Sequence, residues 1–258
     1  MSDAVLYARE GGVGVMTLNR PDNRNSMTEE VLEGVAARVR EARADQDLRC
    51  LVVTGEGRSF CAGADFKSQI QREQPGRQPH ERSYAMYEPF LSLLDVEVPI
   101  VGALNGHAIG GGFGLALMCD LRYAKRGAKY GANFTKLGLH PGMAVSYLLP
   151  RIVGVVKASE WLYTGRLFDA EEGAAAGLFN AASDAPLDEA MDVARAIAAN
   201  GPIAVRTTKR SLRQGLGWDE RAAAYREAYA QAVTVATDDA KEGMAALLEK
   251  RDPAFRGT

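Results

Sequence analysis

A run of glycines inside an apolar stretch is the feature that most constrains this chain. The segment AIGGGFGLALMCD (residues 108–120) carries glycine at positions 110, 111, 112 and 114, where the apolar pattern otherwise predicts a helix. Glycine costs about 1 kcal/mol relative to alanine in a helix interior, so four of them need a physical reason. Either the glycines let a helix pack closely against a strand, or they leave backbone N–H groups accessible to a ligand oxygen.

The same order of strand, tight turn and small residues occurs twice. The apolar run LRCLVVTG (residues 48–55) predicts a strand buried on both faces, and CAGAD (residues 61–65) follows it. The run VPIVGALN (residues 98–105) precedes the glycine run in the same way. Backbone N–H groups at a helix start are unpaired and lie at the positive end of the helix dipole. Two such turns at the same end of neighbouring strands predict an oxyanion hole, where two N–H groups bind one oxygen.

The order of predicted elements indicates an α/β fold. A β-hairpin is predicted over residues 5–19, and a capping box of Ser26 and Glu29 predicts the start of the first helix. Helices are predicted over residues 27–44, 83–94, 187–199, 202–214, 218–237 and 241–251. Because strand signals nearly vanish in the last third, we predict a core over residues 1–186 and a helical C-terminal region over residues 187–258.

Composition narrows the classes of function. Lys and Arg number 31 against 33 Asp and Glu, a net charge of −2, which does not favour binding of nucleic acid or of a membrane surface. The 3 cysteines lie far apart, which predicts buried thiols in a reducing compartment rather than disulfides. No apolar run approaches the about 18 residues of a membrane span, and the N-terminus has no signal-peptide pattern, so we expect a cytoplasmic protein.

Several common catalytic motifs are absent from the sequence. Position 115 is leucine, so the glycine run does not fit the G-x-G-x-x-G pattern of dinucleotide-binding loops, and no Gly-Lys pair forms a Walker A loop. Neither G-x-S-x-G nor H-E-x-x-H occurs. His80, His107 and His140 lack the spacing of a metal site. We therefore predict no metal and no permanently bound cofactor.

Two segments closely resemble the crotonase family, also called the enoyl-CoA hydratase/isomerase superfamily. They are SFCAGADFK (residues 59–67) and NGHAIGGGFGLALMCD (residues 105–120). Further segments fit the family in the same order along the chain, namely LNRPDNRNSM, LGLHPGMAVSYLLPRIVG, TGRLFDAEEGAAAGL and DAKEGMAALLEKRDPAF. The resemblance implies a spiral of ββα turns with a helical C-terminal trimerisation region, assembled as a homotrimer or as a hexamer of two trimers.

The resemblance also implies the ligand and part of its site. The ligand is an acyl-coenzyme A thioester, so coenzyme A enters as part of the substrate. The backbone N–H groups of Ala64 and Gly111 hold the thioester carbonyl oxygen. The residues implied to contact the substrate or its coenzyme A are Ala62, Asp65, Phe66, Lys67 and Lys250. The residues implied to line the acyl pocket are Tyr87, Phe90, Gly114 and Phe134.

The sequence departs from the family at the acid and base positions. The two glutamates that the hydratases use fall at Gly114 and Phe134, and a third carboxylate used by some isomerases falls at Gly142. General acid–base groups contribute about 10² to 10⁴ each, so standard hydratase activity is not expected. His140, before Pro141, is the candidate acid or base, because imidazole is the side chain most often used to transfer protons in catalysis. The alternative for His140 is a polar loop residue bonded to the backbone.

Two functions stay open from the sequence. One is an enzyme of the hydratase/isomerase type, a lyase or isomerase in fatty-acid or related acyl-CoA metabolism. The other is an acyl-CoA-binding protein of the same fold without turnover. A scaffold or RNA-binding offshoot is disfavoured by the near-neutral charge. We also predict that His107 braces the glycine loop and that Asp120 is structural.

Overall fold

The computed structural model describes residues 4–65, 78–200, 202–215 and 235–251, together with positions 221, 225, 228, 231, 232 and 253. Two β-sheets and the helices that pack against them make up this part of the chain. No helix among these residues is long and apolar enough to span a lipid bilayer.

The strands belong to one large and one small sheet. In chain order they are β1 (Val5–Glu10), β2 (Val13–Leu18), β3 (Cys50–Gly55), β4 (Ser59–Cys61), β5 (Ile100–Leu104), β6 (His107–Ile109), β7 (Leu121–Lys125), β8 (Tyr130–Gly131) and β9 (Ala181–Ser183). The large sheet has the order β1-β2-β3-β5-β7-β9, and the small one β4-β6-β8. The hairpin of β1 and β2 is antiparallel, as predicted, and all other neighbours within these two sheets are parallel.

The helices follow the strands in the predicted alternation. They are α1 (Glu29–Ala44), α2 (Pro79–Leu91), α3 (Gly111–Met118), α4 (Val145–Thr164), α5 (Ala170–Ala175), α6 (Pro186–Ala198), α7 (Pro202–Gly215) and α8 (Asp238–Glu249). Helix α2 begins before the predicted residue 83, because Pro79 occupies its first turn and the Gln78 N–H donates to the Glu81 carboxylate at 2.9 Å.

The chain alternates between the two sheets as it advances. Each of β3, β5 and β7 in the large sheet is followed by one short strand, β4, β6 or β8, in the small sheet. Strands β5 and β6 lead directly into α3, which completes a ββα unit. The parallel stacking of these units is the spiral that the sequence predicts, and the α/β fold class is confirmed.

The start of α1 corrects one local prediction. Thr28 is the residue that caps the helix, and its hydroxyl accepts the N–H of Val31 at 3.4 Å. The hydroxyl of Ser26 instead donates to the carbonyl of Asn23 at 2.7 Å. The predicted capping box of Ser26 is therefore wrong, because the preceding turn uses that hydroxyl; the helix end at Ala44 is confirmed.

Aromatic side chains fill the core beside the glycine-rich helix α3. Trp161 of α4 stacks on Phe168, with ring centroids 3.8 Å apart and an interplanar angle of 15°. Phe113 of α3 meets Phe168 edge-on at 5.8 Å. Both geometries are favourable for aromatic pairs, and all three side chains are buried. This packing helps to hold α3 in place, and Ala116 and Leu117 of the same helix are buried as well.

The described residues of the C-terminal third are largely helical, as predicted. Helix α6 packs against β3, β5 and β7, and its residues Ala190 and Ala194 are fully buried there. Of the helix predicted over residues 218–237, the described positions 221, 225, 228, 231, 232 and 235 are helical. Positions 236 and 237 are not helical, because Thr237 caps the start of α8, and the remaining positions lie outside the described residues. The division into a core and an oligomerisation region at residue 186 stays a prediction.

Asp120 joins the C-terminal helix α7 to the core. Its carboxylate pairs with Lys209 at 2.9 Å and Arg213 at 3.2 Å, and it accepts the Ile100 N–H at 2.8 Å. Burial alone would raise the pKa of Asp120, but the two cations and these hydrogen bonds outweigh it and lower the pKa. Burial lowers the pKa of Lys209, so desolvation offsets part of the attraction. These contacts agree with the structural role predicted for Asp120.

We expect Asp120→Asn to lower the free energy of unfolding by about 1–3 kcal/mol at pH 7, because it leaves a buried ammonium without its counter-charge. The folded-state pKa is depressed, so this stabilisation is present above the ordinary carboxyl pKa of about 4 and disappears as pH falls through the folded value. Urea unfolding at pH 7 and pH 3 checks this, with the exposed Asp192→Asn as control, for which we expect no measurable loss. Equal losses at both pH values would contradict the assignment.

Candidate active site

The first predicted donor turn follows β4 and is held by the loop that precedes α1. Gly63 has φ +85°, a left-handed conformation that residues with a Cβ rarely adopt. The Ala62 N–H donates to the carbonyl of Arg24 at 3.0 Å, and the Met27 N–H donates to the carbonyl of Gly63 at 2.9 Å. Ala64 follows directly, so its N–H belongs to the same turn.

Two asparagine side chains position β4 and therefore this turn. Asn25, which is fully buried, donates through Nδ2 to the carbonyl of Ser59 at 2.8 Å. Asn105 donates to the same carbonyl at 3.4 Å and accepts the Gly55 N–H at 3.0 Å. Neither role was predicted from the sequence. The available signal was an asparagine placed next to a predicted strand end, where its amide satisfies backbone groups.

The second predicted donor turn joins β6 to α3. Gly110 has φ 58° and ψ −119°, a conformation that essentially requires glycine, and Gly111 is the first residue of α3. Every residue of α3 is buried, so the positive end of its dipole acts in surroundings of low dielectric. His107 braces this turn as predicted, because its Nδ1 accepts the Lys129 N–H at 2.9 Å and ties β6 to the segment before β8.

The two turns are in direct contact. A Cβ built on Gly63 would lie 3.2 Å from the amide nitrogen of Gly111 and 2.6 Å from the carbonyl oxygen of Ile109. Within the described part of the chain, neither the Ala64 N–H nor the Gly111 N–H donates to another backbone group. This proximity is what the predicted oxyanion hole requires; occupation of the hole by a ligand oxygen stays a prediction.

Packing explains most of the glycine run. A Cβ on Gly112 would lie 2.0 Å from the carbonyl oxygen of Cys61, and a Cβ on Gly111 would lie 2.3 Å from the sulfur of Met27. Gly110, in contrast, has only ordinary contacts near its Cβ position, with Asn133 at 3.7 Å and Phe134 at 3.9 Å, so its conformation is the constraint. The glycines thus let the two turns approach each other, and that approach places Gly63 beside the amide nitrogen of Gly111.

The protein's own side chains close two of the family's carboxylate positions. A Cβ on Gly114 would lie 2.3 Å from the Cβ of Met143, whose side chain is buried. A Cβ on Gly142 would lie 2.3 Å from the hydroxyl oxygen of Tyr87. At the remaining position, Phe134 packs against an apolar cluster. None of these positions offers a carboxylate, and two of them have no room for a side chain.

His140 lies in the loop before α4 and is half-buried. Its Nδ1 lies 2.7 Å from the carbonyl oxygen of Pro141. A carbonyl only accepts, so Nδ1 carries the proton in this contact and a neutral ring has its lone pair on Nε2. The backbone bond expected of a polar loop residue is present, and it also defines the tautomer that a general base needs.

The other predicted site residues lie at different depths. Tyr87 and Phe90 of α2 are buried in the main core, with 3% and 0% exposure. Asp65 is half-buried at the end of the first turn, and Lys250 is exposed at the end of α8 with φ 56°. Two predicted coenzyme A contacts lie outside the described residues, Phe66 and Lys67.

Burial disfavours thiolate formation at the cysteines. It raises the pKa of Cys50, Cys61 and Cys119 to about 12, which favours the protonated thiol at neutral pH. All three are free and buried, as predicted. Among the described residues, no group of three His, Cys, Asp or Glu side chains is arranged to hold a metal ion.

Comparison with known sequences gives matches over nearly the whole chain. A family model described as Enoyl-CoA hydratase/isomerase matches residues 8–258. YngF of Bacillus subtilis (strain 168), a protein assigned to the enoyl-CoA hydratases/isomerases, is 38% identical over 100% of this chain and 100% of its own length. The mitochondrial methylglutaconyl-CoA hydratase of Rattus norvegicus is 32% identical over 98% of this chain and 82% of its own length.

Solved structures share the fold. The enoyl-CoA hydratase/isomerase from Pseudoalteromonas atlantica T6c has a TM-score of 0.87 and 31% identity, over 98% of this chain and 100% of its own. EchA1_1 from Mycobacterium paratuberculosis has a TM-score of 0.85 and 33% identity, over 100% of both chains. These likenesses confirm the predicted crotonase fold.

The contact between Gly114 and Met143 has a measurable consequence. We expect Gly114→Ala to lower the free energy of unfolding by about 1–3 kcal/mol, because the new Cβ overlaps that of Met143. The same substitution should have a smaller effect in a Met143→Gly background, where the overlap is absent. Urea unfolding of the four variants of this cycle gives the coupling.

Gly127→Ala is the matched control for that cycle. Gly127 has φ +74° and nothing within 4 Å of its Cβ position, so alanine there should cost about 1–2 kcal/mol from backbone conformation alone. Met143→Gly should leave that cost unchanged. A Gly114→Ala effect that is the same with and without Met143 would contradict the steric closure of this position.

Proposed function

Since the chain belongs to the enoyl-CoA hydratase/isomerase family, we propose that it binds an acyl-coenzyme A thioester and polarises the thioester carbonyl with the N–H groups of Ala64 and Gly111. The observation that carries this proposal is the contact of the two proposed donor turns. A Cβ built on Gly63 would lie only 3.2 Å from the Gly111 nitrogen. Family members act on acyl-CoA substrates, and the described part of the chain contains both turns that this chemistry needs.

The proposed mechanism starts with polarisation of the carbonyl. Negative charge develops on the thioester oxygen as the α-carbon takes on enolate character, and two N–H groups stabilise that charge. The loss of one such donor typically costs about 10² to 10³ in rate. The buried helix α3 adds the positive end of its dipole at Gly111, and the low dielectric around it strengthens the effect.

His140 is the proposed proton carrier. The carboxylate positions hold Gly114, Phe134 and Gly142, so the usual pair of glutamates is not available. With Nδ1 bonded to the Pro141 carbonyl, Nε2 is the atom that accepts a proton from the acyl group and returns it. Proton transfer by a single imidazole favours an isomerase or an atypical lyase over a standard hydratase. A standard hydratase needs one group to activate water and another to deliver a proton to the α-carbon.

Substrate contacts and assembly complete the proposal. Ala62, Asp65, Phe66, Lys67 and Lys250 are the proposed contacts of the substrate and its coenzyme A, and Tyr87 and Phe90 are proposed walls of the acyl pocket. The chain is proposed to form a homotrimer or a hexamer of two trimers through residues 187–258, and to act in the cytoplasm in fatty-acid or related metabolism. Exposed apolar side chains within that region support self-association, notably Leu212 at 69% and Leu248 at 50% exposure.

A second candidate function is acyl-CoA binding without turnover. The observation that favours it is the closure of Gly114 by Met143 and of Gly142 by Tyr87, which leaves no carboxylate at the family's acid positions. Both functions require the two donor turns and a coenzyme A site, so binding alone does not separate them. Turnover does.

We expect the protein to bind acyl-CoA thioesters and to turn over at least one class among 2-enoyl-, 3-enoyl-, β-keto- and 3-hydroxyacyl-CoA. Binding is measured by calorimetry with hexanoyl-CoA, and turnover by mass spectrometry of each reaction mixture. Binding of hexanoyl-CoA with no turnover of any class would establish the binding-protein function instead. If no thioester binds, the proposed function fails altogether.

We expect His140→Gln to lower kcat by about 10² to 10⁴ with the dissociation constant for hexanoyl-CoA unchanged, because it removes a proton carrier and not a binding group. His80→Gln is the control, since the His80 ring contacts Tyr225 and has no place in the proposed chemistry. Unchanged kcat in His140→Gln would show that His140 is only a polar loop residue.

A further inference from the structure

The side chain of Gln231 connects the C-terminal helical segment to two elements of the site. Its Oε1 accepts a hydrogen bond from the Tyr87 hydroxyl of α2. Its Nε2 donates to the backbone carbonyl of His140 at 3.3 Å. Gln231 is only 7% exposed. Burial of a carboxamide is unfavourable when its polar atoms lack hydrogen-bond partners, so both bonds help to keep Gln231 in this buried position.

Gly142 makes this bridge sterically possible. A Cβ at position 142 would lie 2.3 Å from the Tyr87 oxygen and 3.1 Å from Nε2 of Gln231. Any other residue at 142 would therefore displace the hydroxyl, the carboxamide or both. The space that a side chain at position 142 would need is thus occupied by the Tyr87–Gln231–His140 bridge.

The loop that carries His140 is strained and needs external contacts. Met143 and Ala144 adopt consecutive left-handed conformations, with φ +59° and +56°, and neither is glycine. This conformation is unfavourable for residues that carry a Cβ. Strain of this kind persists only where surrounding contacts over-determine the backbone, and the Gln231 bond to the His140 carbonyl is one of those contacts.

We propose that Gln231 is a positioning residue for His140. It fixes the loop of residues 138–144 relative to α2, and this keeps the His140 imidazole in the single orientation in which Nδ1 bonds the Pro141 carbonyl. The expected effect of Gln231 on the reaction rate rests on the proposed function, because Gln231 would act only through His140 and would not contact the substrate. Its effect on the His140 ring is independent of that function.

The kinetic test uses Gln231→Met, which keeps the length of the side chain and removes both hydrogen bonds. With the acyl-CoA class that the wild-type protein turns over, we expect kcat to fall about 10- to 100-fold and KM to stay within about twofold, because misplacement of a catalytic group affects rate more than binding. In a His140→Gln background the same substitution should cause no further loss. An equal loss in both backgrounds would overturn the proposal.

Tyr87→Phe is the second variant, because it removes one bond of the bridge and retains the ring that packs in the core. We expect a smaller fall in kcat than for Gln231→Met, and no added effect when the two are combined, since both act through one bridge. Additive losses would contradict the bridge. The single variant also keeps the test decisive if Gln231→Met does not fold.

A spectroscopic measurement separates this inference from the proposed function. The chain has 3 histidines, so ¹⁵N spectra of the imidazole nitrogens are simple, and His80 and His107 serve as internal references. We expect a single Nδ1-protonated tautomer for neutral His140 in the wild-type protein and a mixture in Gln231→Met. Identical His140 spectra in both proteins would overturn the inference. Failure of the wild-type protein to bind hexanoyl-CoA would overturn the proposed function and leave this comparison valid.

Discussion

The close approach of two backbone turns is the constraint on which the site depends. Gly63 and Gly112 lie where the small sheet brings β4 beside the start of α3, and a Cβ at either position would overlap backbone atoms. Asn25 and Asn105 hold the Ser59 carbonyl and so keep the first turn at this distance. Stability and the proposed chemistry both depend on this contact, because the approach that buries α3 also places the turn at Gly63 against the amide nitrogen of Gly111.

Side chains fill the space beside two glycines at which the resemblance implies carboxylates. Met143 fills the space beside Gly114, and the Tyr87 hydroxyl fills the space beside Gly142. A carboxylate does not fit at either position without displacing a neighbour. Gly114 and Gly142 therefore lie in closely packed surroundings. Among the described residues, Tyr87, Gln231 and His140 supply polar groups close to Gly142.

The C-terminal segment contributes to both stability and the site. Asp120 pairs with Lys209 and Arg213 of α7, which anchors the helix against the end of α3 and the start of β5. Gln231, further along the same segment, contacts the strained loop that carries His140. A region predicted for oligomerisation thus also holds parts of the proposed active site within its own chain.

Much of the fold was predictable, because its signals are local. Unbroken apolar runs predicted β3 and β5, and the glycine pattern predicted the turn at Gly110. The φ of 58° and ψ of −119° at Gly110 are a conformation that favours glycine. The cap of α1 was misassigned, since a neighbouring turn uses the Ser26 hydroxyl. The sequence by itself determined the α/β class and the glycine-rich turns after β4 and β6, and it carries Gly114, Phe134 and Gly142 where the resemblance implies carboxylates. Only the tertiary structure decided that Met143 lies against Gly114 and that Tyr87 lies against Gly142 and Gln231. These contacts join segments far apart along the chain, so no local sequence pattern predicts them.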